Sequence, residues 1–437
     1  MSDKVLLGLY GLGMMGSSIQ SVLAPFYPPI AHKKGISGKT IGTVFGIQPL
    51  IAGICAPLFG QILSKYGRKK ILLSSAFLMV MSSLTFALAP IFDGTSFIIV
   101  SLLSRFFQGV GGAGIATSIV AIMSMLYRER LEEIFGIQQS LTGASMIIGP
   151  VIGMGLNLIG GFSFIFYSFS AVFFTGFLYL YFVLPPDEAS LETLNPVTWK
   201  QMLSVKTVVM DVFAICMAFG SIGALEPLLQ GFMVNTFGVE ENFVPVFFII
   251  PTLAYPVTVV VMRKCMSRFS GKARIFLGLV LISIFMQLMG PAKYTYLPNN
   301  IYMTLTSVFF LGAGTALTLI PSLTDMFDDA TQKIHGIKPA LISDRVSGLI
   351  SLGMYFGKAT SAPLAGTLID NMDFENAISV IGFIIFAYTV IYGTLGGGFA
   401  EFVGKRKVLG KNDSLLGEKE MVESSKKSFY LLEEDEV

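Results

Sequence analysis

Charge is scarce in this chain. Lys, Arg, Asp and Glu make up 13% of its 437 residues, about half the share carried by a soluble domain. The formal net charge of +2 is spread over short loops, with no basic domain and no aromatic residues interleaved among basic ones in a soluble segment, so no nucleic-acid partner is expected. Histidine is nearly absent. His32 and His335 fall in expected loops far apart in sequence, without the Asp, Glu or Cys company that a metal centre or a catalytic triad requires. Of three cysteines, Cys55 and Cys216 lie inside apolar runs and Cys265 in a polar loop, so no disulfide framework is expected. Neither a cofactor nor a metal is expected, and the chain does not read as an enzyme.

What the chain has instead is apolar length. Hydrophobic residues make up 53% and the mean hydropathy is +0.71. Runs of about 20 apolar residues, enough to cross a hydrocarbon core, recur at 5–30, 41–63, 71–90, 96–125, 134–158, 162–184, 207–233, 243–262, 274–291, 300–325, 343–369 and 376–396. The first has no small-residue cleavage site behind it and reads as a retained helix, which puts the N-terminus in the cytoplasm. Loop charge agrees with that orientation: Lys65, Arg68, Lys69 and Lys70 lie on one side with Arg263, Lys264, Arg268, Lys272 and Arg274. The basic "HKKGISGK" on the opposite side runs against it, whereas the other loops there, near Asp93, Glu240 and Glu375, are acidic.

The polar stretch "PPDEASLETLNPVTWKQMLSVK" splits the runs six and six, and "SKYGRKK" from Ser64 resembles "SRFSGKAR" from Ser267 in the order of Ser, base, aromatic and basic cluster. The expectation is an all-α membrane protein of twelve transmembrane helices in two pseudo-symmetric six-helix halves. The first half is 1–186, followed by a cytoplasmic linker 187–206, a second half 207–398 and a disordered cytoplasmic tail 399–437.

Gly109, Gly111 and Gly114 have the spacing of a dinucleotide loop, with Glu132 about twenty residues on. They lie in the middle of a membrane-length run, where a strand would leave backbone groups unsatisfied in lipid. On a helix, Gly109, Gly112 and Ala113 form one small-residue face for a close neighbour.

Three motifs carry a resemblance to the major facilitator superfamily over about residues 5–396. "GQILSKYGRKKIL" looks like its loop signature, with Gly60, Gly67, Arg68 and Lys69 in place; the same basic cluster also reads as simple anchoring on the cytoplasmic side. "RFFQGVGGA" is similar to its fourth-helix motif at Arg105, Gln108, Gly109, Gly111 and Ala113, and "GIQQSLTGASMIIGPVIGMG" resembles its antiporter signature at Gly136, Gly149, Pro150 and Gly153. Ser64 stands where the loop signature usually holds an aspartate that helps lock the halves together. "ALEPLL", "PTLAYPV" and "APFYPPIA" look like the vesicular amine transporter branch. The acids of its monoamine members are replaced by Gly16, Ala316 and Leu352, which places the chain nearer the branch's polyamine side group.

Charges inside the spans mark either a satisfied pair, an end reaching the interface, or a pathway. Asp211 and Asp325, near the cytoplasmic ends of their spans, read as solvated cap or loop residues, whereas Arg105, Glu226 and Lys358 stand out. With Tyr255 of "PTLAYPV" they are the expected substrate and proton-coupling set. The resemblance implies alternating access with exchange of a small organic cation for protons, Glu226 alternately holding a proton and the cation. The protein is expected to act as a monomer in lipid, in a vesicular, endolysosomal or plasma membrane. A broad drug:proton antiporter of the plasma membrane fits the same motifs. A polytopic enzyme or receptor would need a chemical constellation at one membrane face, and none is present.

Overall fold

The computed structural model describes residues 2–186, 197–240, 247, 249–334, 337–369 and 371–403. Among these residues there is no strand. Helices run α1 (Ser2–Ser21), α2 (Leu23–Lys33), α3 (Gly38–Tyr66), α4 (Arg68–Ala87), α5 (Gly94–Leu126), α6 (Leu131–Val183), α7 (Trp199–Ser204) and α8 (Lys206–Phe237). They continue as α9 (Ile249–Lys264), α10 (Gly271–Met289), α11 (Ile301–Lys333), α12 (Pro339–Ile369), α13 (Phe374–Leu395) and α14 (Gly398–Val403). Residues 1–402 form one compact unit.

Local chemistry sets the boundaries. Ser37, Ser270 and Asn300 cap α3, α10 and α11 by accepting from backbone N–H groups of the first turn. Thr198 and Gln201 close a capping box on α7. Gly67, at φ 93, makes the sharp joint between α3 and α4, and Gly238 in the left-handed region ends α8. Within α6 the helix breaks at Gly160 and Gly161, the latter at φ 69, which separates the expected spans 134–158 and 162–184.

Each expected span lands on helix within a few residues, apart from the portion of 243–262 that lies outside the described residues. Among the described residues nine helical stretches are long and apolar enough to cross a membrane. One of them, Arg128–Val183, contains two expected spans. α9 has 16 described residues, and α12 carries Asp344, Arg345 and Lys358. Large apolar side chains face outward along these helices, including Leu158 at 83% and Phe182 at 79% exposure, as lipid-facing surface requires.

Two readings change. Part of the expected linker is structured as α7, although 187–196 lies outside the described residues. The expected disordered tail begins with α14, whose Phe399 and Phe402 pack on Phe276. The remainder, 404–437, lies outside the described residues, as does His335.

Among the N-terminal helices α6 lies against α1 and α4, and α5 against α3 and α4; among the C-terminal helices α12 lies against α8, and α11 against α9 and α10. The two sets meet along two seams, α3 and α5 on α12, and α6 on α9 and α11. Tyr27 of "APFYPPIA", fully buried, stacks on Phe86 and Phe97 at 5.6 and 5.7 Å within the N-terminal set. Lys34, from the loop whose charge ran against the orientation rule, is paired with Asp93.

Candidate functional site

The seam between α3 and α12 closes near the end that carries the basic loops. Gly60 of α3 and Gly348 of α12 approach so closely that a Cβ on either would lie 3.1 Å from the other's Cα. This contact brings the first turns of α4 and α12 side by side. Arg68 then reaches across to Asp344 with two parallel bonds, Nε to Oδ1 at 2.7 Å and Nη2 to Oδ2 at 3.0 Å, and donates also to the Ala340 carbonyl. Asp344 has no exposed side-chain surface. A fork-to-carboxylate pair held this way is strong and directional.

Sequence reasoning missed this acid. It looked for the partner of the loop signature at Ser64, inside the same motif, whereas Asp344 comes from a helix 276 residues away. Ser64 itself donates back to the Gln61 carbonyl. Lys69 donates to the Leu184 carbonyl at the end of α6.

Three more ties cross between the sets at the same end. Arg274 of α10 grips Glu132 at 2.6 and 2.8 Å, and Thr324 of α11 donates to that carboxylate as well. Arg263 binds Glu133 at 2.7 Å, and Arg128 approaches Asp328 at 3.5 Å with its guanidinium over Phe327. Glu132, which mimicked a ribose-binding acid in sequence, is thus a clasp residue. Beneath Arg274 and Arg263 is a cavity of about 270 Å³ bounded by Glu132, Glu133, Met262 and Ser267. α7 adds a latch: the Trp199 indole N–H donates to Gln61 at 3.1 Å, and the Arg345 guanidinium covers its ring at 4.6 Å.

Deeper in the bundle, Arg105 is buried between α3 and α5. Its guanidinium donates to Gln108 at 2.6 Å, to Gln48 at 3.1 Å and to the Val44 carbonyl. Two neutral amides and a carbonyl therefore satisfy it, with no carboxylate among these partners. Gly109 sits one turn on, where a Cβ would meet the Gln48 carbonyl oxygen at 2.7 Å and Ile51 at 2.9 Å. Gly111 and Gly114 turn instead toward Ser75 and Met79 of α4. Gly112 has room, its nearest neighbour being Gln48 at 3.7 Å. The small-residue face is thus divided: Gly109 and Ala113, the latter packed with Ala52 and Ala56, serve α3, and Gly112 is not part of a tight contact.

In the antiporter motif, Gly136 meets Val259 of α9 across the second seam. Gly149 and Gly153 face Ser18 and Val22 at the α1 end. Pro150 sits within α6 between these two contacts.

Tyr255 is buried in a cluster with Val259, Ala316 and Ile320. Lys358 lies on α12 where Gly223 of α8 makes backbone contact, a Cβ on the glycine falling 2.8 Å from the Lys358 Cα. Glu226 is one turn beyond Gly223 on α8; its side chain lies outside the described residues. The structure thus brings the backbones of Glu226 and Lys358 to one helix pair. Arg105 and Tyr255 sit on other helices, α5 and α9.

In comparison with known proteins, residues 6–337 match the sequence model of the Major Facilitator Superfamily. The chain is 23% identical over 426 residues to the human MFS-type transporter SLC18B1, covering 95% of this chain and 90% of that protein. It is also 23% identical over 393 residues to the multidrug resistance protein MdtG of Klebsiella pneumoniae, covering 86% and 89%. Among solved structures, the human organic anion transporter MFSD10 (TETRAN) is similar with a TM-score of 0.68 at 14% identity, over 89% of this chain and 99% of that one. That last likeness is one of fold.

Proposed function

The chain belongs to the Major Facilitator Superfamily, an integral multi-pass membrane transporter resembling the vesicular amine and polyamine branch, and from that premise we propose that it moves a small organic cation in exchange for protons. The observation that carries the alternating-access part is the clasp. Arg68–Asp344, Arg274–Glu132, Arg263–Glu133 and Arg128–Asp328 all tie N-terminal to C-terminal helices at one end. Such a set of ties has to break for cargo to leave at that end.

The halves 1–186 and 207–398 rock about a central site, and the clasp end is the cytoplasmic one, with both termini on that side. The clasp is closed, so the cargo site in this state is reached from the opposite face. Glu226 attracts the cation and exchanges it for a proton, and Lys358 on the neighbouring helix stands in when neither is bound. The transporter acts as a monomer in a vesicular, endolysosomal or plasma membrane.

A second reading, a broad drug:proton antiporter, draws support from the identity to MdtG, equal to that with SLC18B1. Proteoliposomes with an imposed pH gradient, offered spermidine, a monoamine, a quaternary ammonium drug and an organic anion, separate these readings. Uptake of spermidine alone supports the amine carrier and uptake of all three cations the drug antiporter. Uptake of the anion alone overturns both.

A further inference from the structure

Asp211 and Asp325 have no place in the clasp, and from sequence alone both look like solvated residues near helix ends. The fold buries them against each other. Asp211, in the second turn of α8, is 1% exposed, and the Asp325 carboxyl of α11 comes close enough for the two to act on each other. Asp211 Oδ1 accepts from the Tyr392 hydroxyl at 2.7 Å. Its Oδ2 is sealed from solvent, and so is Asp325 Oδ2, and neither oxygen has a hydrogen-bond partner among the described residues.

An ionised carboxylate only accepts hydrogen bonds. Two of them close together and sealed from donors repel each other, and a proton carried by one relieves that repulsion and supplies the missing donor, as in paired carboxyls of a dry site. Among the described residues around the pair, Lys272 of α10 is the one cation, itself bonded to Asp329 at 3.0 Å. Tyr388 and Tyr392 of α13 and Glu401 of α14 are the other titratable groups that face it, together with Asp329. Asp344 and Arg345 of α12 are engaged elsewhere, with Arg68 and Trp199. Three aspartates against one lysine leave an excess of negative charge that one shared proton reduces. Among the described residues no three His, Cys, Asp or Glu side chains are grouped as a metal site.

We propose that Asp211 and Asp325 form a binding site for one exchangeable proton, held while the clasp is closed and given up to water at the clasp end when it opens. In the release step one carboxylic O–H bond breaks, the proton passes to water, and the pair goes from one negative charge to two. The coupling is built into the helices. Thr324, beside Asp325, donates to Glu132, and Asp328, one turn on, holds Arg128. Lys272 lies two residues before Arg274, which holds Glu132. Separation of the two helix sets strips Glu132 and Arg128 from the same turns that cover the pair, and so admits water to it.

The proposal leans on the transport reading only for the use of the proton; the pair itself is tested on the resting protein without cargo, so the two can fail separately. Infrared difference spectra of the full-length protein in liposomes, taken between about pH 5 and about pH 9, are expected to show a protonated-carboxyl C=O band that disappears at the higher pH. Asp211→Asn and Asp325→Asn are each expected to remove that band. In Asp211→Asn the new side-chain amide can still accept from Tyr392 and donate to Asp325, so this variant imitates the loaded pair. Emission from the single tryptophan, Trp199, is expected to change with pH in the wild type and to stay at its low-pH value in Asp211→Asn. The proposal is overturned by a wild-type carboxyl band that does not respond to pH, which would make the protonation purely structural, or by a pH-sensitive band that survives in both variants. If one variant fails to fold, the other, with the wild-type spectrum, gives the same decision.

Discussion

Gly109 has no space for a side chain: the Gln48 carbonyl of α3 stands 2.7 Å from where its Cβ would be. Gly109→Leu forces two helix backbones apart and is expected to cost about 3 kcal/mol or more, seen as loss of folded protein in detergent by size-exclusion chromatography. Gly112→Ala, with 3.7 Å to its nearest neighbour, is expected to leave the folded yield unchanged. NAD binding by the purified protein that vanished in Gly109→Leu would contradict the packing account. For Glu226 the proposed role is one of charge rather than fit. Glu226→Gln keeps volume and removes the titratable proton, so proton-driven cation uptake in vesicles is expected to fall at least about tenfold, equivalent to about 1.4 kcal/mol, while the protein still reaches the membrane. Uptake at wild-type rate with unchanged pH dependence would show the acid to be structural.

At the scale of elements, Arg68 at the start of α4 and Asp344 in the second turn of α12 form a buried two-bonded joint between the two helix sets. Removing one partner of a buried pair leaves the other uncompensated, at a cost of about 3–5 kcal/mol. Asp344→Asn and Arg68→Gln are therefore expected to weaken the closed clasp and raise the accessibility of a cysteine placed at Ala56, buried where α3 meets Gly348 of α12, to a membrane-impermeant thiol reagent, in a background with Cys55, Cys216 and Cys265 replaced. Equal labelling in wild type and both variants would show that the pair does not hold the clasp. The helices themselves were legible from apolar runs. Their partners were not, because Arg68 and Asp344 are 276 positions apart and no local pattern connects them.

For the whole molecule, the chain holds one tryptophan, and it sits on the latch between Gln61 and Arg345. On the proposed mechanism, opening of the clasp withdraws Trp199 from the guanidinium and exposes it to water. A transported cation added together with a pH gradient is expected to shift Trp199 emission to longer wavelength, and Arg345→Gln to produce part of that shift without cargo. An emission maximum that stays fixed throughout turnover would place the latch outside the transport cycle.

Composition, apolar run length and loop charge determined by themselves that this is a helical membrane protein, because lipid leaves a backbone few ways to satisfy its hydrogen bonds. Short motifs determined the family for the same kind of reason: Gly60, Gly67 and Gly109 stand where joints and close approaches admit nothing larger. Only the tertiary structure decided which charges meet. It gave Arg105 two glutamines rather than an acid, moved Glu132 from an imagined nucleotide site to a clasp, and turned Asp211 and Asp325 from two helix-end residues into one buried pair. Electrostatic partnership depends on distance and on the exclusion of water, and both are set by the packing of helices remote in sequence.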